Sequence, residues 1–157
     1  MTLNVSRILC PTDFSGPSTE ALELAIEFAR RFDAELVLFH AHEMPAYVFP
    51  DSVMPAAPTV LQQLEEVADA ELRRSAARVR ECGVPVRIAS AMGAQDLEIC
   101  RYAEEMHADL LILGTHGRTG LRHALLGSIA EKVVRRAPCP VLTVRPHTTH
   151  PGVAHAQ

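Results

Sequence analysis

Residues 109–146 read DLLILGTHGRTGLRHALLGSIAEKVVRRAPCPVLTVRP, and this stretch decides the fold. Leu110–Leu113 is wholly apolar with no polar alternation, the pattern of a strand covered on both faces. A glycine-bearing loop runs from Gly114 to Gly127. Ser128–Arg136 reads as a short helix, and Val141–Arg145, entered through Pro140, as another strand. Strand, crossover helix and strand make a unit that joins parallel strands, because a tight turn cannot connect them.

The same alternation extends upstream. Val5–Cys10 reads as a buried strand that ends in the loop Pro11-Thr12-Asp13. Ser15-Gly16-Pro17-Ser18 carries helix-start signals, a serine cap and a proline in the first turn. Leu22, Ala25, Ile26, Ala29 and Phe32 then recur at three- and four-residue steps, one helical stripe. Glu35–Ala41 is a second strand. A long helix from Thr59 to about Cys82 carries the stripe Leu61, Leu64, Ala68, Leu72, Ala76 and Val79, and Gly83 stops it. Val84–Ser90 is a third strand, and Pro85 near its start marks an edge position. The helix from about Ala94 to His107 turns inward either Leu97, Cys100, Ala103 and Met106 or Ile99, Tyr102 and Met106. Five strands alternating with four helices predict one α/β domain over residues 1–146, a parallel sheet with helices on both faces. The tail 147–157 reads as disordered.

His42–Pro58 breaks the pattern. Pro45, Pro50, Pro55 and Pro58 exclude a continuous helix or a central strand, so the stretch reads as a long loop, mobile without a ligand. It follows the second strand, at the end of the sheet where ligands bind. It therefore reads either as a segment that closes over a ligand or as a linker.

Composition narrows the function classes. The chain has 157 residues and 17.2 kDa, with 48% hydrophobic and 22% charged residues, the profile of a folded globular chain. Fifteen Lys and Arg against nineteen Asp and Glu give a net charge of −4, which argues against a dedicated partner among nucleic acids or anionic membranes. No apolar run approaches the ~20 residues of a membrane span. MTLNVSRIL does not have the form of a signal peptide, so the expected location is cytoplasmic. Cys10, Cys82, Cys100 and Cys139 form no CxxC pair and read as small buried hydrophobes in a reducing compartment. His40 and His42 can point the same way along a strand, but no third ligand accompanies them, so no protein-held metal is expected.

In open α/β sheets a ligand binds beyond the carboxyl ends of the strands, where the strand order reverses. If the order is 3-2-1-4-5, Pro11-Thr12-Asp13 and Gly114-Thr115-His116-Gly117 face each other there. Gly127-Ser128 opens the last helix, whose free N–H groups and dipole attract phosphate. Glycine at 127 admits a phosphate close to the backbone, and the Ser128 hydroxyl adds a donor. Gly114 and Gly117 allow a sharp turn and close passage by a ribose or phosphate. The bland alternatives stay open: the glycines can serve turns alone, and Asp13 can cap a turn or helix. Arg118, Arg122 and His123 either reach phosphate or lie solvated. There is no GxxxxGK[ST] loop, no GxSxG elbow and no GxGxxG after the first strand. Asp13 and His116 can lie near phosphates, but no residue is clearly placed to activate water.

The spacing Gly114-x2-Gly117-x9-Gly127-Ser128 within residues 109–146 closely resembles the ATP-binding branch of the universal stress protein family. VSRILCPTDFSGPSTEALELAIEFAR and LVLFHAHE resemble it too, and the likeness runs nearly to Arg145. The resemblance implies a five-stranded 3-2-1-4-5 sheet and a homodimer formed through the last strand. It implies an adenine nucleotide, ATP with Mg²⁺ carried on its phosphates. Carried over by position, Pro11, Thr12 and Asp13 would lie on the ribose and adenine side, with Asp13 accepting hydrogen bonds. Ala41 would sit by adenine, its small side chain widening that slot, and Leu113 would line the base pocket. Gly114 and Gly117 would contact ribose and the α/β-phosphates, and Gly127, Ser128 and Ile129 would cradle the outer phosphates; Arg118, from the reading of the loop itself, joins the candidate nucleotide-binding residues. The function implied is a nucleotide-responsive stress regulator. A slow ATPase and a ligand-free dimeric interaction module are the alternatives, and the protein partner is unknown.

Overall fold

The computed structural model describes residues 4–43, 46–49, 52–115 and 126–145. The chain runs β1 (Arg7–Pro11), α1 (Gly16–Phe32), β2 (Glu35–His42), β3 (Ala46–Phe49), β4 (Ser52–Pro55), α2 (Pro58–Glu81), β5 (Val86–Met92), α3 (Gln95–Glu105), β6 (Leu110–Gly114), α4 (Ser128–Arg136) and β7 (Val141–Val144). Five strands form one parallel sheet in the order β5-β2-β1-β6-β7. This is the expected 3-2-1-4-5 order, counting only strands of the main sheet. β5 is the edge strand that Pro85 foretold.

Strand alternation divides the core into two faces. Ile8, Cys10, Leu36, Leu38, Leu110 and Ile112 point to one face and pack with Leu22, Ala25 and Ile26 of α1 and Leu72, Ala76 and Val79 of α2. Leu9, Val37, Phe39, Leu111 and Leu113 point to the other and pack with Ile99 and Ala103 of α3 and Ala130 and Val133 of α4. Phe39 stacks on Tyr102 at 4.7 Å between ring centroids. Burial of each large side chain in these layers contributes about 1.5–3 kcal/mol.

Several stripe residues are more exposed than their periodicity suggests. Phe32 lies at the last turn of α1 and is 37% exposed, beside Phe28. Leu97 is 52% exposed, so α3 buries the face built on Ile99 and Ala103. Leu64 is 43% exposed although Ala68, Leu72, Ala76 and Val79 are buried. The cause is length. The 24 residues of α2 extend about 36 Å, whereas the seven of β5 extend about 23 Å. The first turns of α2 therefore overhang the sheet.

The proline-rich stretch is also corrected. Rather than an unstructured loop it holds a separate two-stranded antiparallel sheet, β3 with β4, in register Ala46↔Pro55 to Phe49↔Ser52. Its prolines fall outside or at the ends of the two four-residue runs, and Pro58 takes the first turn of α2, where its missing N–H costs nothing. Among the cysteines, Cys10 is buried and its thiol is pushed up to about 12 by that burial. Cys82 is exposed and Cys100 and Cys139 are half-buried, so the expectation of buried cysteines holds for Cys10 alone. The expected disordered tail lies outside the described residues.

Candidate functional site

From β1 the sheet proceeds one way through β2 to β5 and the other way through β6 to β7. The reversal leaves a crevice between β1 and β6 that no crossover covers. A cleft of about 720 Å³ opens there, within the ~300–1,000 Å³ of small-molecule sites. Pro11, Thr12, Asp13, Ala41, Leu113, Gly114, Gly127, Ser128 and Ile129 all line it. Gly117 and Arg118 lie outside the described residues, as do His116, Arg122 and His123.

The β1–α1 loop is held by its own side chains. Thr12 N–H donates to the Phe39 carbonyl at 2.8 Å, and Thr12 Oγ1 accepts from Phe14 N–H at 3.0 Å. Asp13 Oδ1 accepts from Ser15 N–H at 3.0 Å and from the Ser15 hydroxyl, while Ser15 caps α1. Asp13 therefore caps a turn, as one sequence reading allowed, and it lines the cleft as the other required. Between them Phe14 sits at φ 63°, a left-handed conformation that a bulky side chain rarely adopts.

Gly114 is needed for a reason the sequence did not show. A Cβ there would stand 2.9 Å from the Pro17 carbonyl oxygen and 3.0 Å from its carbon. The glycine lets the first turn of α1 press against the end of β6. Gly127 N–H donates to the Thr115 carbonyl at 2.7 Å, and the Gly127 carbonyl accepts the first ladder bond of α4 from Glu131 at 2.9 Å. Among the described residues no side chain caps this helix start. The amides of Ser128, Ile129 and Ala130 precede that first ladder bond, so they are the donors a helix leaves for an anion, and all three residues line the cleft.

Two histidines complete the wall at the end of β2. His40 Nδ1 lies 2.7 Å from the Thr12 carbonyl, and because a carbonyl only accepts, His40 carries a proton on Nδ1. The Phe14 ring lies on His40 at 4.7 Å, and His42 meets it edge-on at 4.5 Å. His42 is 9% exposed, and its Nε2 has no hydrogen-bond partner among the described residues. Burial lowers its pKa from the ordinary histidine value, against the opposing pull of Glu65. The overhanging turns of α2 add Leu64, Val67 and Ala68. No three His, Cys, Asp or Glu side chains among the described residues could hold a metal ion. The cleft thus joins backbone donors at one end to an apolar wall at the other. The α2 wall and the histidine packing escaped sequence reasoning, although the i, i+2 spacing of His40 and His42 was a visible signal.

The profile of the universal stress protein family matches residues 4–145. The chain belongs to the universal stress protein family. It is 36% identical to universal stress protein MJ0531 of Methanocaldococcus jannaschii, with 88% of this chain and 81% of that one covered. With universal stress protein MJ0577 of the same organism it shares 28% identity over 92% of this chain and 98% of the other. The solved structure of MJ0577 superposes with a TM-score of 0.79 at 25% identity, covering 93% and 99% of the two chains. A universal stress protein solved in complex with cAMP superposes with a TM-score of 0.69 at 27% identity, covering 90% of this chain and 97% of that one. The fold and the cleft described above are therefore read as those of a universal stress protein. Among the described residues no helix is long and apolar enough to cross a membrane.

Proposed function

We propose that the cleft binds an adenine nucleotide, ATP with Mg²⁺ held through its phosphates, and that the protein works as a homodimeric, nucleotide-responsive stress regulator. The observation that carries this reading is the uncapped start of α4 facing the same cleft as Asp13 and Ala41. Phosphates would take the Ser128–Ala130 amides, with Gly127 leaving room for them. The ribose would lie along Pro11–Asp13 and the base against Ala41 and Leu113. Gly117 and Arg118 complete the proposed set. The relative solved with cAMP supports the ligand class. Mg²⁺ would arrive on the phosphates and supply charge neutralisation. Dimerisation would pair β7, which ends the sheet, with its twin across a two-fold axis.

Mass spectrometry of nucleotide released from the denatured purified protein, with calorimetry on wild type and Gly127→Val, tests the reading. Gly127 has φ −69° and ψ 156°, which valine also adopts, so the substitution tests space rather than strain. Wild type should bind ATP and Gly127→Val should lose at least tenfold in affinity. Equal affinities would remove the phosphate assignment.

A further inference from the structure

The β1–α1 loop carries Asp13 but is not held by its own hydrogen bonds alone. Phe14 sits in an unfavourable backbone region, and such a conformation persists only where the surroundings over-determine it. Phe14 packs against the core and its N–H is held by Thr12 Oγ1, and the ring laid against it from β2 is an imidazole. His40 donates from Nδ1 to the carbonyl of Thr12 at 2.7 Å, and its ring lies against that of Phe14 at 4.7 Å between centroids, tilted by 33°. The ring of His42 meets that of His40 edge-on at 4.5 Å, and His42 Nε2 has no hydrogen-bond partner among the described residues. His40 therefore ties the loop after β1 to the end of β2. Those are the segments that, on the nucleotide reading above, carry the ribose and the base.

We propose that His40 is a positioning residue for the nucleoside half of the cleft, acting through the Thr12 carbonyl and the Phe14 ring rather than by touching the phosphates. The proposal rests on the nucleotide reading. Neighbouring strands are about 4.8 Å apart, so β2, flanking β1 on the side away from β6, stands about 10 Å from the strand that leads to the phosphate end. A change at His40 reaches Asp13 through the loop and leaves the α4 amides in place. Its effect should fall on ligands that carry a nucleoside and spare bare phosphate chains, because a positioned site binds more weakly when its supporting contacts go.

The test compares ATP with inorganic triphosphate on wild type, His40→Leu, His40→Asn and His40→Gln by calorimetry and by competition. An asparagine amide places an N–H close to the position of imidazole Nδ1, whereas glutamine places it near Nε2. His40→Leu and His40→Gln should weaken ATP binding about tenfold, leave triphosphate within about twofold, and His40→Asn should recover most of the ATP affinity. Equal losses for both ligands, no loss in His40→Leu, or an Asn variant no better than Gln would overturn the proposal. If His40→Leu fails to fold, the Asn and Gln pair carries the same decision. A wild-type protein that binds neither ATP nor triphosphate would defeat the nucleotide reading itself. Wild-type ATP binding with unchanged selectivity in the variants would defeat only the role of His40.

Discussion

Gly114→Ala should destabilise the protein whether or not a nucleotide is present. The new Cβ would meet the Pro17 carbonyl oxygen at 2.9 Å, its carbon at 3.0 Å and Pro17 Cβ at 3.3 Å. An ordinary contact needs several tenths of an ångström more. The obstacle is backbone in the first turn of a helix whose Ala21, Ala25 and Ala29 are fully buried, so it cannot swing aside as a side-chain tip would. Either α1 shifts off the sheet or β6 bends. Overpacking of this kind costs about 1–3 kcal/mol. For a domain of this size each kcal/mol moves the melting temperature by about 2–4 °C, so the variant should melt about 2–12 °C below wild type by differential scanning calorimetry. Gly16→Ala is the control, because a Cβ there meets nothing within 4 Å. A Gly114→Ala protein that melts within about 1 °C of wild type would refute the packing argument, and Gly114 would then be free to be a ligand-contact glycine alone.

Leu142→Lys or Val144→Lys, on the half-buried terminal strand β7, should yield monomers or insoluble protein where sedimentation finds the wild type dimeric at micromolar concentration; a monomeric wild type counts against β7 as the interface. His42→Leu should raise the apo melting temperature at pH 7.5 by a few degrees, because it removes a buried unpartnered nitrogen worth about 1 kcal/mol or more. The same variant should flatten the acid side of the stability curve. The folded pKa of His42 is lowered, so the unfolded chain takes the proton first, and stability that is full above about pH 6.5 declines as pH falls through and below it. Glu65 opposes this and narrows the window. Parallel wild-type and His42→Leu curves between pH 7.5 and 5.5 would show that His42 does not titrate differently on folding.

The sequence by itself determined the five-strand alternation, the edge position announced by Pro85, the helix start at Ser15 and the strand ends that carry Pro11–Asp13 and Gly114. These are local properties, because periodicity and turn chemistry are written in neighbouring residues. The glycine spacing also identified the loop that leads to α4. Only the tertiary structure decided what covers each face. Leu64 belongs to a regular stripe yet faces the cleft, because α2 is longer than the strand beside it. The prolines of 45–58 excluded a central strand correctly, but two four-residue runs between them pair with each other, and that pairing is not a property of either run. Gly114 looked like a turn residue and is a packing glycine, since the carbonyl that demands it comes from Pro17, 97 positions away in the chain. His40 and His42 read as a failed metal pair. The partners of His40, Thr12 and Phe14, arrive only when β1 and β2 align in the sheet. Contacts of such long sequence separation leave no periodic trace, which is why the position of the cleft was legible and the contacts that hold its walls were not.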